Sequence, residues 1–374
     1  MFKNEDGHRW VNGISKRGYP FAYIERPMPW IEPAFLDCVV YLYPSEAAAE
    51  DGEKMGGSGF LIGLPIPDAP QKVLLCVVTN KHVAERGSTV VRVSTKDEKK
   101  DTIPLDAARW YTHADGDDLA VCPIGLSSSH KFQFLYPYQF LTKAMIDEWD
   151  IGPGDDAFVV GRFVNHEGKA RNLPTVRFGN IAQMPWEPIT IEGTTQESFL
   201  VEARSISGYS GSPVFVFFET LPRTNFTPEF KKALDEGQIK IPGQSSKRLK
   251  WAVGGTPMRF MWLLGVDWCH LTSDQKILNK HTGDESKDWL TKSNTGMMGV
   301  VPAWRLNDII QGDEMQEIMK LAAEHERAAK VNSVGELDSA TEVIQAEPAD
   351  ANPQGKEDFM RLLDAAAKGR PKAD

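Results

Sequence analysis

From residue 36 onward the chain alternates short β-branched and aromatic runs with breaks built from Gly, Pro, Asn and Asp. Such runs occur at Cys38–Tyr43, Gly59–Ile62, Val73–Thr79, Thr89–Ser94 and Leu119–Pro123. They resume at Ala157–Val160, Thr175–Phe178, Ser198–Val201, Pro213–Phe218, Trp262–Asp267 and Gly299–Val301. Runs this short, bounded by turn residues, predict strands. Without strand–helix alternation they predict an antiparallel sandwich or barrel. Two segments break the rhythm. Residues 219–258 hold one short predicted helix, Pro228–Glu236, and residues 271–295 are polar without a strand pattern. Loops this long inside a compact domain are commonly functional or mobile. Asn307 is a candidate cap for a helix whose Met315, Ile318, Met319 and Ala322 share one face.

The ends read differently. Residues 1–32 lack periodicity and are expected as an extension lying on the domain surface. Residues 311–331 are expected as a C-terminal helix and 332–374 as a flexible tail. Within the tail, 332–354 is too poor in large apolar side chains to fold, and Phe359, Leu362, Leu363 and Ala366 fall on one face of a short terminal helix.

Charge sharpens this division. The 374 residues carry a net charge of −10, and the segment from 311 contributes 14 acidic and 8 basic side chains. All ten tryptophans precede it, so the core-forming material lies in residues 1–310. An acidic chain lacks the basic footprint of a nucleic-acid binder. No run approaches the roughly 18 apolar residues that a membrane-spanning helix needs. Neither nucleic acid nor membrane is expected as a partner. Cys38, Cys76, Cys122 and Cys269 are far apart, three of them in apolar runs, and read as reduced thiols. With a polar, charged N-terminus, they point to a cytoplasmic protein.

Three segments carry candidate chemistry. Thr79-Asn80-Lys81-His82-Val83 follows a strand, Asp117-Asp118-Leu119-Ala120-Val121 opens one, and Gly208-Tyr209-Ser210-Gly211-Ser212-Pro213 precedes one. Each alone is ordinary: a strand-end histidine, a solvated acid, a serine in a glycine turn. Their order is His82, then Asp118 after 36 residues, then Ser210 after 92 more. A serine nucleophile needs a base, because its hydroxyl is almost un-ionised at neutral pH. The base needs a carboxylate to hold its tautomer, and the tetrahedral intermediate needs backbone N–H donors. Glycines at 208 and 211 permit a turn tight enough to present both.

From about residue 36 to 310 the chain resembles the chymotrypsin-like (trypsin-like) serine peptidases, in particular bacterial trypsin-like domains akin to the high-temperature-requirement proteases. Gly57-Ser58-Gly59-Phe60-Leu61-Ile62 is similar to the glycine-rich strand before the family's histidine, Thr79–Val83 to its T-x-x-H-V box and Asp118–Val121 to its D-[IL]-A-[VL] box. Gly154-Asp155, Val159-Val160-Gly161 and Phe178-Gly179-Asn180-Ile181 resemble the opening of its second barrel. Gly208–Val214 resembles G-x-S-G-G-P-[VL], Leu264-Gly265-Val266 the substrate-flanking strand, and Gly296 with Gly299–Pro302 the last strand.

The resemblance implies an all-β fold of two six-stranded barrels over 33–310, with their junction near 140–155, followed by a C-terminal helix and the flexible tail. It implies a serine endopeptidase acting on protein or peptide substrates. His82 would be the general base, Asp118 its orienting acid and Ser210 the nucleophile, with the backbone N–H groups of Gly208 and Ser210 as oxyanion hole. Asp117 is a rival for the acid. By the family's spacing Arg204 lies at the base of the primary pocket, where it would favour acidic side chains, unless it points to solvent or pairs with Glu202 or Asp267. Gly296 falls where a pocket wall must stay open. No metal spacing and no phosphate-cradling loop is seen, so no cofactor is expected.

Two residues depart from the pattern. Ser212 replaces a glycine. Tyr209 stands where zymogen-activated members carry an aspartate that pairs with a new N-terminus, so trimming cannot activate this chain and the oxyanion loop must be held otherwise. The alternative to a peptidase is a protease-fold binding module that recruits partners through its long loops and tail. An α/β-hydrolase would need G-x-S-x-G and the order Ser, Asp, His, which the chain lacks.

Overall fold

The structure is a computed structural model in which the chain forms two units, Met1–Pro33 and Ala34–Asp374. It describes residues 2–3, 9–10, 13–14, 20–21, 31–53, 56–67, 69–106, 109–163, 168–191, 193–203, 208–219, 232, 236, 259–278 and 285–337. In the smaller unit Phe2–Lys3 (β1) pairs antiparallel with Arg9–Trp10 (β2), and Gly13–Ile14 (β3) with Pro20–Phe21 (β4). Of the predicted helix at Pro228–Glu236 only Lys232 and Glu236 are described, and the linker beyond 337, the terminal helix and Arg204 lie outside the described residues.

A short helix, Pro33–Asp37 (α1), leads into the first sheet of the larger unit. Val39–Tyr43 (β5) is buried along its whole length, as a strand covered on both faces must be. Glu46–Asp51 (α2) follows, then the hairpin Gly57–Ile66 (β6) and Ala69–Thr79 (β7), then Lys81–Glu85 (α3). Val90–Thr95 (β8), Lys100–Pro104 (β9), Tyr111–Thr112 (β10), Ala120–Pro123 (β11) and His130–Lys131 (β12) complete it. The order is β10-β11-β7-β6-β5-β8-β12 with β9 on β8, so this sheet has eight strands where six are expected. Val40, Leu42, Leu61, Val77 and Val91 form its core.

The chain crosses to the second sheet through 133–141. Gly63 N–H donates to Leu135 O (2.9 Å) at one end, and Leu141 N–H to Leu263 O (2.9 Å) at the other. Lys143–Trp149 (α4) then precedes Asp156–Gly161 (β13) and Thr175–Gln183 (β14). After a small hairpin of Ile189–Ile191 (β15) and Thr194–Gln196 (β16) come Phe199–Glu202 (β17), Pro213–Glu219 (β18), Arg259–Leu278 (β19) and Glu285–Pro302 (β20). Strands β13-β14-β17-β20-β19-β18 close into a barrel. Val159, Ile181, Val201, Val214, Leu264 and Val300 fill it, and Trp149 of α4 seals one end against Phe260 (4.6 Å between ring centres). The architecture is the all-β, double-barrel kind expected of a chymotrypsin-like fold.

Two expectations are corrected. Within 271–295, the described residues 271–278 and 285–295 are strand and not irregular loop: β19 and β20 continue past the barrel as a two-stranded ribbon, with Thr272 opposite Asn294 and Lys276 opposite Leu290. Both faces of the ribbon are open to solvent, so its sequence carries no apolar alternation to reveal it. The helix after the barrel does not start at Asn307. It runs Ala303–Gln311 (α5) with Pro302 at the N-cap, which needs no side-chain cap, and Asn307 lies inside it. After Gly312, Asp313–Leu337 (α6) follows. Met315, Ile318 and Met319, expected only to share a face, are buried, as is Ala323, so the core extends beyond residue 310 where the sequence reading ended it. The α6 backbone runs six residues past the expected boundary, because extending a formed helix costs far less than starting one.

Candidate active site

The first element of the site is the end of β7. Thr79 Oγ1 donates to Ser58 O (2.7 Å), and Asn80 stays extended before α3. Val83 and Ala84 anchor α3 in the core, which leaves the His82 side chain 28% exposed beside them. Opposite it, Asp118 sits just before β11. His82 Nδ1 lies 2.6 Å from Asp118 Oδ2, and the His82 backbone N–H donates to Asp118 Oδ1 (2.8 Å). Two bonds to one carboxylate fix the histidine's backbone and ring together. A carboxylate at Nδ1 selects the tautomer that leaves Nε2 as the acceptor. Asp118 is itself positioned by Asn80 Nδ2, which donates to its carbonyl (2.9 Å), and by Gln196 Oε1, which accepts its N–H (2.7 Å).

The two neighbouring aspartates have different partners. Asp117 turns the other way and is bonded by Arg305 Nε, while Arg305 Nη2 donates to Asp115 Oδ2 (2.9 Å). His113 Nδ1 stands 3.8 Å from the same Asp117 oxygen. Asp117 therefore ties α5 to this loop, and Asp118 faces the histidine.

Ser210 comes from the turn before β18. Ser212 N–H donates to Tyr209 O (2.7 Å), closing the turn. Gly208 (φ 98°) and Gly211 (φ 86°) supply its left-handed positions. A Cβ at Gly211 would stand 2.0 Å from Ser58 O and 2.4 Å from Thr79 Oγ1, so the glycine is also sterically required. Ser58, on β6 of the other sheet, grips the turn twice. Its N–H donates to Ser210 O (2.8 Å) and its hydroxyl to Gly208 O (2.7 Å). From β19, Asp267 O accepts the Gly211 N–H (2.8 Å). Ser212, the residue that departs from the family pattern, is fully buried. Gly161 makes room for it, because a Cβ there would lie 2.2 Å from Ser212 Oγ.

His82, Asp118 and Ser210 line one cleft of about 700 Å³. No hydrogen bond joins the His82 ring to Ser210 Oγ, and catalytic bonds of this type often tighten only with substrate bound. Neither the Gly208 nor the Ser210 N–H has a protein acceptor among the described residues, so both remain able to donate.

Several lining residues were not singled out from the sequence. Trp268, Cys269 and His270 follow a register shift in β19, Thr272, Lys292 and Asn294 come from the ribbon, and Ile191 and Thr194 from the β15–β16 hairpin. The ribbon gave no pattern to find, and the Trp-Cys-His run beside Leu-Gly-Val was its one local signal. Gly296 stands beside Asn294 of the cleft wall, and a Cβ added to it would meet open space. It sits at the ribbon's bulge with φ 84°, its N–H on Asn294 Oδ1 (2.8 Å), and Asn294 forms that part of the wall.

No protein-family model matches the chain, and no curated protein matches it. Among solved structures it is similar to the apo MamO protease domain from Magnetospirillum magneticum, with TM-score 0.41 and 15% identity over 75% of this chain and 98% of that one. It is also similar to Rv3671c from M. tuberculosis, a serine-to-alanine mutant in an inactive form, with TM-score 0.34 and 16% identity over 76% and 94%. Likenesses this loose say nothing about activity, and the fold rests on the strand order above.

Proposed function

We propose that this chain is a serine endopeptidase. The observation that carries the reading is the His82 Nδ1–Asp118 Oδ2 contact of 2.6 Å facing the cleft that Ser210 also lines. Ser210 Oγ attacks the scissile carbonyl as His82 Nε2 takes its proton. Asp118 stabilises the imidazolium. The N–H groups of Gly208 and Ser210 receive the oxyanion. His82 then protonates the leaving amine, giving an acyl-enzyme on Ser210. Water, activated by the same histidine, releases the acid product.

Arg204, on its spacing to Ser210, is proposed to favour acidic residues on the N-terminal side of the cleaved bond. The acidic tail is proposed to recruit a protein partner, and the cytoplasmic placement, resting on four thiols outside any disulfide, belongs to the same reading. Cleavage of a peptide library by wild type, Ser210→Ala and Arg204→Asp tests it. Loss of all cleavage in the first variant and a changed preference in the second are expected. The second reading, a binding module without catalysis, is favoured by one observation, the missing bond between His82 and Ser210. It predicts an uncut library.

A further inference from the structure

The turn that carries Ser210 has a built-in anchor one residue away. Tyr209 is fully buried in the core of the closed barrel, its ring against Gly161. Its hydroxyl lies 2.5 Å from Thr175 Oγ1 and accepts from Arg177 Nε (3.0 Å). Thr175 and Arg177 are two apart on β14, so they reach the hydroxyl from one face of that strand. The Arg177 guanidinium also lies over the Tyr209 ring at 5.1 Å and over the Phe163 ring at 5.4 Å. On the other side, the Ser58 hydroxyl that holds Gly208 O is fixed by the Arg162 N–H (3.1 Å).

We infer that Tyr209, clamped by Thr175 and Arg177, locks the Gly208–Ser210 turn so that its backbone donors are preformed in the intact chain. Tyr209 is then a positioning residue, and the inference rests on the peptidase reading. The Tyr209 hydroxyl itself carries no charge, and its partners Thr175 and Arg177 come from β14 of the same barrel. Neither a freed N-terminus nor a bound partner is needed to set this anchor. Removing the hydroxyl leaves the ring in its packed place but releases the bond that fixes its direction. The Gly208–Ser210 donors then lose alignment with a developing oxyanion, while substrate contacts elsewhere in the cleft stay as they were.

The test compares a peptide ester with its thionoester, measuring kcat and KM for intact wild type, Tyr209→Phe and Arg177→Gln. Sulfur is a poor hydrogen-bond acceptor, so the oxo-to-thiono rate ratio reports on the donors and is insensitive to the fraction of folded enzyme. Each variant should lose about tenfold in kcat on the ester with KM little changed, a partial loss of a group worth roughly 10²–10³. Its rate ratio should fall toward one. Active wild type with an unchanged ratio in both variants overturns the inference. Arg177 is half-buried and outside the turn, so its variant keeps the test available if Tyr209→Phe does not fold. Wild type inert on both substrates and unreactive to a fluorophosphonate overturns the peptidase reading instead.

Discussion

At the residue scale, the two neighbouring aspartates give the sharpest contrast. Asp118→Asn presents an amide to His82 Nδ1 and favours the wrong tautomer, so kcat should fall by on the order of 10⁴. Asp117→Asn faces Arg305 and should leave kcat within a fewfold of wild type while lowering stability. Steady-state kinetics on both variants decides; reversed effects mean the acid is misassigned. Ser210→Ala and His82→Ala should each cost on the order of 10⁴–10⁶, and the double variant little more, because the two act as a unit. Thiols give a second residue-level prediction. Burial pushes Cys38 up to about 12 and raises Cys76 and Cys122 well above the ordinary thiol range. The thiolate is the reactive form, so at pH 8 these three should resist iodoacetamide. Cys269 is half-exposed in the cleft and should be alkylated first. Peptide mapping after a timed pulse checks this, and early labelling of Cys76 would show that the first sheet opens. His82, Asp118 and Ser210 were legible because each adjoins a strand edge with a recognisable run. The partner of Asp117 was not, because Arg305 lies 188 residues away and no local pattern announces it.

Among elements, strands buried on at least one face were visible in the sequence and the ribbon was not. Apolar runs mark a strand only where something covers it. Beyond the barrel, Trp289 and Leu290 are 70% and 62% exposed, and their neighbours are polar. Trp289→Ser should therefore change stability by less than about 0.5 kcal/mol. A urea midpoint that drops by several times that amount would place the ribbon against another surface. Helix α5 behaves oppositely. Arg305 is 19% exposed and its partner Asp117 only 4%, so the pair is largely shielded from solvent. Arg305→Ala should cost about 1–3 kcal/mol by leaving a buried carboxylate without its donor, again read from urea unfolding. The start of α5 was missed because Pro302 opens it through backbone geometry alone, whereas a sequence search looks for a capping side chain.

For the whole molecule, the two C-terminal helices act as a strap. Helix α5 packs on β19 and β20 and α6 on β6 and β7, with Lys72 Nζ 2.5 Å from Glu326 Oε2 about midway along α6. A chain ending at Leu337 should fold and keep the thermal midpoint of the full protein. One ending at Gly312 loses Met315, Ile318 and Met319, each worth about 1.5–3 kcal/mol when buried, and should unfold at markedly lower temperature. Equal midpoints would show that α6 adds nothing to the core. The double-sheet architecture was legible from the strand rhythm, while the strap's reach across both sheets was not, since contacts between distant segments leave no periodicity.

The central claim is that Ser210 is a nucleophile activated by His82, and a fluorophosphonate probe with peptide mapping tests it most directly. The account predicts one covalent adduct on Ser210 in the intact chain, absent in Ser210→Ala and formed at least a hundredfold more slowly in His82→Ala. An unlabelled wild-type chain, or an adduct that survives in Ser210→Ala, would contradict it.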